Sequence, residues 1–296
     1  MVNISNLGTE TRNKKTEALD LLSVKQIIEL MNDEDNYVIK AIKEAIPQIE
    51  ALIEQTIIAY NNNGRIIYIG AGTSGRLGLM DAVEVVPTYN SDRFVGLIAG
   101  GDNAFVKAVE GAEDSKELCV NDLRDLNLNS NDFVIGIAAS GRTPYVIGGL
   151  DYARSIGCKT GCLCCNFNTE IAKHSDYPIE LSAGPEVVTG STRLKSGTCQ
   201  KIVLNMISTI TMVKVGKVYG NLMVDVKATN EKLVERCRKI VIEATDCDYE
   251  TADNTLKETN NNCKLAILMI LLNISKDEAL IKLNNSNGMI REALNN

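Results

Sequence analysis

The sequence predicts an α/β fold: a doubly wound, flavodoxin-like, five-stranded parallel sheet, with helices added before it and a small helical subdomain after it. Three observations carry the prediction. Short β-branched runs alternate with helical stretches from Arg65 to about Val215, and such alternation produces a parallel sheet covered on both faces. Two of those strands run into turns rich in glycine and hydroxyl groups, residues 70–75 and 140–143. The chain has 296 residues, 45% hydrophobic and 23% charged, enough for one large domain or a main domain with a small one.

Residues 1–63 read as helical. Ser23 and Gln26 form a capping box ahead of a helix over residues 24–31, and a second helix starts near Asp35. Pro47 marks a helix start or a kink. Ile49, Leu52, Ile53, Ile57 and Tyr60 then recur at helical spacing until Asn61-Asn-Asn-Gly64 stops them. Residues 65–70 (RIIYIG) form a short buried strand. A helix follows over about 74–85, ended by Pro87. Residues 94–99 are the second strand, 103–113 a helix, 133–139 the third strand, and Pro144 opens the next helix. Residues 160–165 and 177–181 complete the five strands. A long amphipathic helix covers about 196–215 and stops at Gly216. From about Thr229 the chain turns to short helices, with a second capping box at Ser275 and Glu278. The expected division is therefore 1–228, the sheet domain with its N-terminal helices, and 229–296, a helical subdomain.

Composition narrows the partners. The net charge is −7 and no basic run occurs, which argues against nucleic acid and anionic membrane. Residues 1–7 lack the charged-then-apolar pattern of a leader, and the longest apolar run, 265–272, is too short to span a bilayer. The expectation is a cytoplasmic protein. Its nine cysteines follow no framework spacing and are expected to be free thiols. Cys158, Cys162, Cys164 and Cys165 cluster on or beside one strand, whose alternate residues face opposite ways, unlike the separated knuckles of a zinc site. They read as small buried residues, and no metal is assigned.

The first turn, Gly70-Ala-Gly-Thr-Ser-Gly75, joins a strand to a helix. Glycines permit close backbone approach, the helix start offers unpaired N–H groups, and Thr73 and Ser74 add hydroxyls. A P-loop is excluded because Arg76 does not take the place of its lysine. The GxGxxG spacing of a dinucleotide site fits, but the acid about 20 residues on, Asp92, precedes the second strand instead of ending it. The second turn, Ser140-Gly-Arg142-Thr143, repeats the chemistry. Two such turns are either ordinary capped turns or the two halves of one phosphate grip; their repetition favours the grip.

GAGTSGR (70–76), ASGRTPYVIGGL (139–150), GPEVVTGSTRLKSGT (184–198) and KVYGNLMVDVKATN (217–230) together resemble the N-acetylmuramic acid 6-phosphate etherases, within the sugar isomerase (SIS) superfamily. The turns alone point only to the superfamily; 194–198 and 221–230 are more specific. The resemblance runs nearly the whole chain from Leu7-Gly-Thr-Glu10. It implies an SIS-type sheet and a carbon–oxygen lyase that opens the sugar ring, removes the proton at C2 and expels D-lactate from C3. Water then adds back, giving N-acetylglucosamine 6-phosphate in the recycling or use of cell-wall sugars. It also implies that the two catalytic glutamates map onto Glu84, as acid on the leaving oxygen, and Glu113, as base at C2. Carboxylates suffice because the C2 proton lies beside an aldehyde and the leaving oxygen needs only a proton; no metal or redox cofactor is required. Without the resemblance, Glu84, Glu110 and Glu113 would read as solvated surface acids. The sequence departs from the family pattern after Glu84, where Val85-Val86 replaces the more common Cys-Pro.

Thr73, Ser74, Ser140, Arg142 and Thr143 are expected to hold the phosphate. Glu110, on the same helical face as Glu113 if residues 103–113 are helical, is expected near the sugar. Glu84 lies ten residues beyond Ser74, about 15 Å along a straight helix. Either that helix ends early or bends, or Glu84 serves a site completed by a second subunit. We favour the second, a homodimer with shared sites, across which Lys195 also supplies charge; otherwise Lys195 is a surface lysine. His174, the only histidine, reads as a surface or capping residue. Two rivals remain: an aldose–ketose sugar-phosphate isomerase with Glu186 as base, and a non-catalytic sugar-phosphate regulator.

Overall fold

The computed structural model describes residues 8–107, 109–228 and 230–296. Residues 1–7, in which no leader was read, and Thr229, where the helical tail was placed, lie outside the described residues. The chain groups into two compact units, Met1–Val83 with Arg93–Ser208, and Glu84–Asp92 with Thr209–Asn296.

The first unit opens with short 3-10 turns and then α1 (Val24–Glu44), whose predicted capping box is formed by Ser23 and Gln26. α1 is one helix, not two. Its polar middle, Asn32-Asp-Glu-Asp-Asn36, contains no glycine or proline, and Asn36 donates back to Asn32 O and Asp33 O. α2 (Ile46–Asn61) carries Pro47 in its first turn, where a missing N–H costs nothing; Pro47 starts a helix and kinks none. Asn63 takes φ 61° and ends the run.

The sheet holds β1 (Ile66–Gly70), β2 (Phe94–Ile98), β3 (Phe133–Ala138), β4 (Lys159–Cys164) and β5 (Tyr177–Glu180) in the order β2-β1-β3-β4-β5. Every pairing is parallel. β1 and β3 are buried along their whole length, as central strands covered on both faces must be. Between the strands run α3 (Gly72–Tyr89), α4 (Asn103–Val106), α5 (Lys116–Asp125), α6 (Pro144–Ile156) and α7 (Glu170–Lys173), and α8 (Lys195–Lys214) follows β5. Ile67, Ile69, Val134, Val146 and Leu150 form the centre of one core, each stabilising the fold by about 1.5–3 kcal/mol. Cys158, Cys162, Cys164 and Cys165 are buried free thiols, as expected.

Two further predicted elements change and one is new. α3 begins at Gly72 and passes through Pro87 to Tyr89. Pro87 lies in the last turn and removes one hydrogen bond, while Thr88 Oγ1 donates to Glu84 O and Asn90 N to Val86 O. The predicted helix over 103–113 shrinks to α4, which stops at Val106 where Lys107 is extended at φ −127°, ψ 142°; Gly111, at φ 77°, then leads into a 3-10 turn, Ala112–Asp114, and Ala108 lies outside the described residues. α5, which the sequence reading passed over, is capped by Ser115 and buries only Cys119 and Leu123, too sparse a stripe to stand out as periodic.

Behind β1 lies a buried acid. Asp81 accepts from Tyr68 Oη and Ser208 Oγ, each at 3.2 Å, with Lys201 Nζ at 3.8 Å. Burial pushes its carboxyl up to about 6, against the partial pull of Lys201 and these donors. A folded pKa above the ordinary 3.8 gives stability that is present at low pH and lost as pH rises through about 6. Asp81→Asn should therefore gain stability over the parent between pH 4.5 and 7.5, by on the order of 2 kcal/mol at the upper end. Urea midpoints across that range check it; a difference independent of pH contradicts it.

The second unit contains a short hairpin, β6 (Val218–Tyr219) with β7 (Leu222–Met223), that the sequence reading lacked, and α9 (Glu231–Thr245), α10 (Tyr249–Glu258), α11 (Cys263–Leu272), α12 (Lys276–Asn285) and α13 (Ile290–Asn295). Its core centres on α11, where Leu265, Ala266, Ile267 and Leu268 are buried. Ser275 and Glu278 form the predicted capping box. Asp225 takes both Lys217 (3.0 Å) and Lys264 (2.7 Å). Among the described residues no helix is long and apolar enough to cross a membrane.

Candidate active site

β1 and β3 are neighbours, with Gly70 beside Ile137, yet the chain leaves β1 toward β2 and β3 toward β4, on opposite sides. That reversal opens a crevice beyond the carboxyl ends of the two strands, where ligands of such sheets bind. Both hydroxyl turns stand there. In the first, a Cβ on Gly75 would come within 2.7 Å of Gly70 O, so only glycine lets strand and helix meet this closely. α3 then starts at Gly72 and turns its unpaired first-turn N–H groups and positive dipole end toward the crevice. In the second turn Gly141 takes φ 72°, and Thr143 precedes α6 without using its side chain as a cap.

The hydroxyls differ in their freedom. Thr73 is half-buried, and Ser140, Arg142 and Thr143 line up half-buried on the second turn. Ser74 is 7% exposed and its hydroxyl donates to Gln200 Oε1 at 2.9 Å. Gln200, on α8, carried no signal in the sequence: it lies 126 residues away from Ser74.

A cavity of about 150 Å³ adjoins the first turn, lined by Ala71, Gly72, Arg76, Ala99, Ala104, Val109, Glu110, Gly111 and Glu113. It brings Glu110 and Glu113 together with the glycine turn. They do not share a helix face, as the sequence suggested; the bend at Gly111 places both on one rim. Arg76 Nε donates to Phe105 O at 3.0 Å and tethers that segment to α3. Glu84 is exposed on an α3 that does not end before it, and it is not among the residues lining this cavity.

Lys195 is not a surface lysine. It is 2% exposed, and its Nζ lies 2.7 Å from Glu34 Oε2. Glu34 also takes Lys15 Nζ at 2.9 Å and Asn13 Nδ2 at 2.9 Å. This cluster lines a second cavity, of about 310 Å³, with Tyr37, Lys40 and residues 182–185. Glu34 went unread because it sits in a run of polar residues that looks solvated.

Glu186 is wholly buried. Its Oε2 accepts from Lys195 N, and its Oε1 from Ser196 N and Ser196 Oγ, at 2.7–2.9 Å. The carboxylate therefore closes the N-terminus of α8, where the helix dipole favours negative charge, and is not free to act as an isomerase base. His174 is the C-cap of α7 and pairs with Asp151.

The SIS family model for the glucokinase regulatory protein N-terminal domain matches residues 48–154, and the SIS domain model matches 121–210. N-acetylmuramic acid 6-phosphate etherase 2 of Lactiplantibacillus plantarum is 56% identical over 296 residues, covering 99% of this chain and 100% of that one. N-acetylmuramic acid 6-phosphate etherase of Lactococcus lactis subsp. cremoris is 60% identical over 268 residues, 90% of each chain. Among solved structures, phosphoheptose isomerase from Neisseria gonorrhoeae superposes over 63% of this chain and 97% of its own, with a TM-score of 0.49 and 15% identity. With more than half of its residues shared with these etherases along almost its whole length, the chain belongs to the N-acetylmuramic acid 6-phosphate etherase family.

Proposed function

We propose that this chain cleaves the lactyl ether of N-acetylmuramic acid 6-phosphate by elimination and hydration, giving N-acetylglucosamine 6-phosphate and D-lactate. It is a carbon–oxygen lyase of amino-sugar catabolism and peptidoglycan recycling. The observation that carries the reading is the meeting of a glycine–hydroxyl turn with Glu110 and Glu113 around one cavity, in a chain 56% identical to a full-length etherase.

The phosphate rests against Thr73, Ser74, Ser140, Arg142 and Thr143 and the N-termini of α3 and α6. Glu113 takes the proton from C2 of the open-chain sugar, and the electron pair moves into the enolate. The C3–O bond then breaks, and Glu84 gives its proton to the departing lactate oxygen. Water adds to the unsaturated aldehyde at C3 and restores the sugar. Glu110 contacts the sugar. Every step is a proton transfer or a carbon–oxygen bond change, so carboxyl groups meet the chemistry.

Glu84 lies about 15 Å along α3 from Ser74, so it serves a site completed by a second copy of the chain. α3 exposes Val83 and Val86 on either side of Glu84, at 59% and 39%, as an apolar subunit contact would. Lys195 contributes charge from within its ion pair, not from a surface. The protein acts in the cytoplasm as a homodimer.

Incubating the purified protein with N-acetylmuramic acid 6-phosphate and, separately, with glucosamine 6-phosphate tests the reading. Free lactate from the first and no isomer from the second are expected. Isomerised product without lactate overturns it.

A further inference from the structure

We infer that Gln200 is a positioning residue: by presenting its amide nitrogen to Ser74, it directs the single hydroxyl proton of Ser74 to the bound phosphate. The inference rests on the reading of Ser74 as part of the phosphate grip.

Gln200 is 1% exposed on α8. In the structure its Oε1 accepts from Ser74 Oγ at 2.9 Å. Its Nε2 is the one buried side-chain nitrogen or oxygen without a partner among the described residues. Orphaned buried N–H groups are rare and costly, more so than under-used carbonyl oxygens. A serine hydroxyl has one proton and two lone pairs. With that proton given to Gln200, Ser74 turns only lone pairs toward the crevice, the wrong polarity for a phosphate oxygen.

A half-turn of the Gln200 carboxamide exchanges its oxygen and nitrogen in place. Nε2 then donates to Ser74 Oγ, the orphan gains an acceptor, and Ser74 donates to phosphate beside the first N–H groups of α3. The unpaired atom becomes Oε1, the cheaper one to leave so. The turned amide is thus the cheaper arrangement even before a phosphate arrives, and the buried amide keeps Ser74 aimed at it.

The test is a double-mutant cycle on the full chain, followed by lactate release. Gln200→Met keeps the volume and removes the amide. It should raise KM for N-acetylmuramic acid 6-phosphate about ten-fold, the scale of one charge-assisted hydrogen bond, with kcat held within about three-fold. Ser74→Ala should do the same, and the double variant should be no worse than Ser74→Ala alone. If Gln200→Met melts early, Gln200→Leu takes its place. Gln200→Glu, an acceptor only, should raise KM at least as far. An unchanged KM in Gln200→Met beside a raised one in Ser74→Ala overturns the role of Gln200 alone. So does a Gln200→Met effect of equal size with and without Ser74, which marks mere packing. An unchanged KM in Ser74→Ala sinks the phosphate reading of the turn and this inference with it.

Discussion

Replacing Glu113 with alanine should stop lactate release, with kcat reduced by roughly 10²–10⁴, while the sugar phosphate still binds within several-fold. The split follows from where the residue sits. Glu113 belongs to the 3-10 turn Ala112–Asp114 and is exposed at the cavity rim. Its side chain fills no core, so truncation leaves no void and little stability is lost. The proposed grip on the phosphate lies in other residues, Thr73 and Ser74 on one turn and Ser140 to Thr143 on the other, and should survive the change. In the proposed mechanism the loss is the proton acceptor at C2, an interaction made only as the reaction proceeds, so kcat should fall and KM hardly move. A coupled lactate assay gives the first quantity, and calorimetric titration of the inactive variant with substrate gives the second. Turnover retained in Glu113→Ala removes the residue from the role of base.

Glu34→Ala should cost about 3–5 kcal/mol of folding stability. Among the described residues Glu34 is the anion paired with Lys195, whose side chain is 2% exposed. Removing it leaves an unpaired charge that water does not reach. Lys15 is mostly exposed and regains hydration, so its pairing with Glu34 matters less. The double change Glu34→Met with Lys195→Met should be milder than Glu34→Ala, because it removes both charges and their desolvation cost together. The pH dependence has a definite sign. Burial pushes the Glu34 carboxyl up, but hydrogen bonds from Lys195 and Lys15 outweigh it and hold the group below the ordinary 4.5. A depressed folded pKa gives stability that is present above the ordinary value and lost as pH falls through the folded one. Glu34→Ala should abolish that acid-side component. Urea midpoints of the parent and both variants, near neutrality and below pH 4.5, decide the matter; a loss under about 1 kcal/mol would show that the pair is solvated.

The elements written most plainly in the chain were those whose cause is local. The capping boxes at Ser23 and Ser275 appear where a serine precedes a glutamine or glutamate by three residues. The five strands fall within a residue or two of their apolar runs; β1 and β3, central and buried throughout, have no exposed face to interrupt the pattern. Errors arose where neighbours settled the outcome. Pro87 stays helical because the last turn has little left to lose. The helix that composition allows over 103–113 stops at Val106, where Lys107 is extended, and the chain turns again at Gly111. α5 buries two residues in ten and so carries almost no periodic signal.

For the candidate site, the residue types were legible and their surroundings were not. Glycine and hydroxyl residues between strand and helix announce an anion site, since their chemistry acts through the backbone immediately beside them. The sequence by itself thus determined the α/β class, the two turns and the family. Tertiary structure alone decided that Glu110 and Glu113 share a rim through a bend, that Glu186 is consumed as a helix cap, and that Lys195 is sunk against Glu34. It also decided that Ser74 answers to Gln200. The last three pairings join residues from 9 to 161 positions apart, and a pattern of neighbours along the chain holds no record of which distant polar groups must satisfy one another once water is removed.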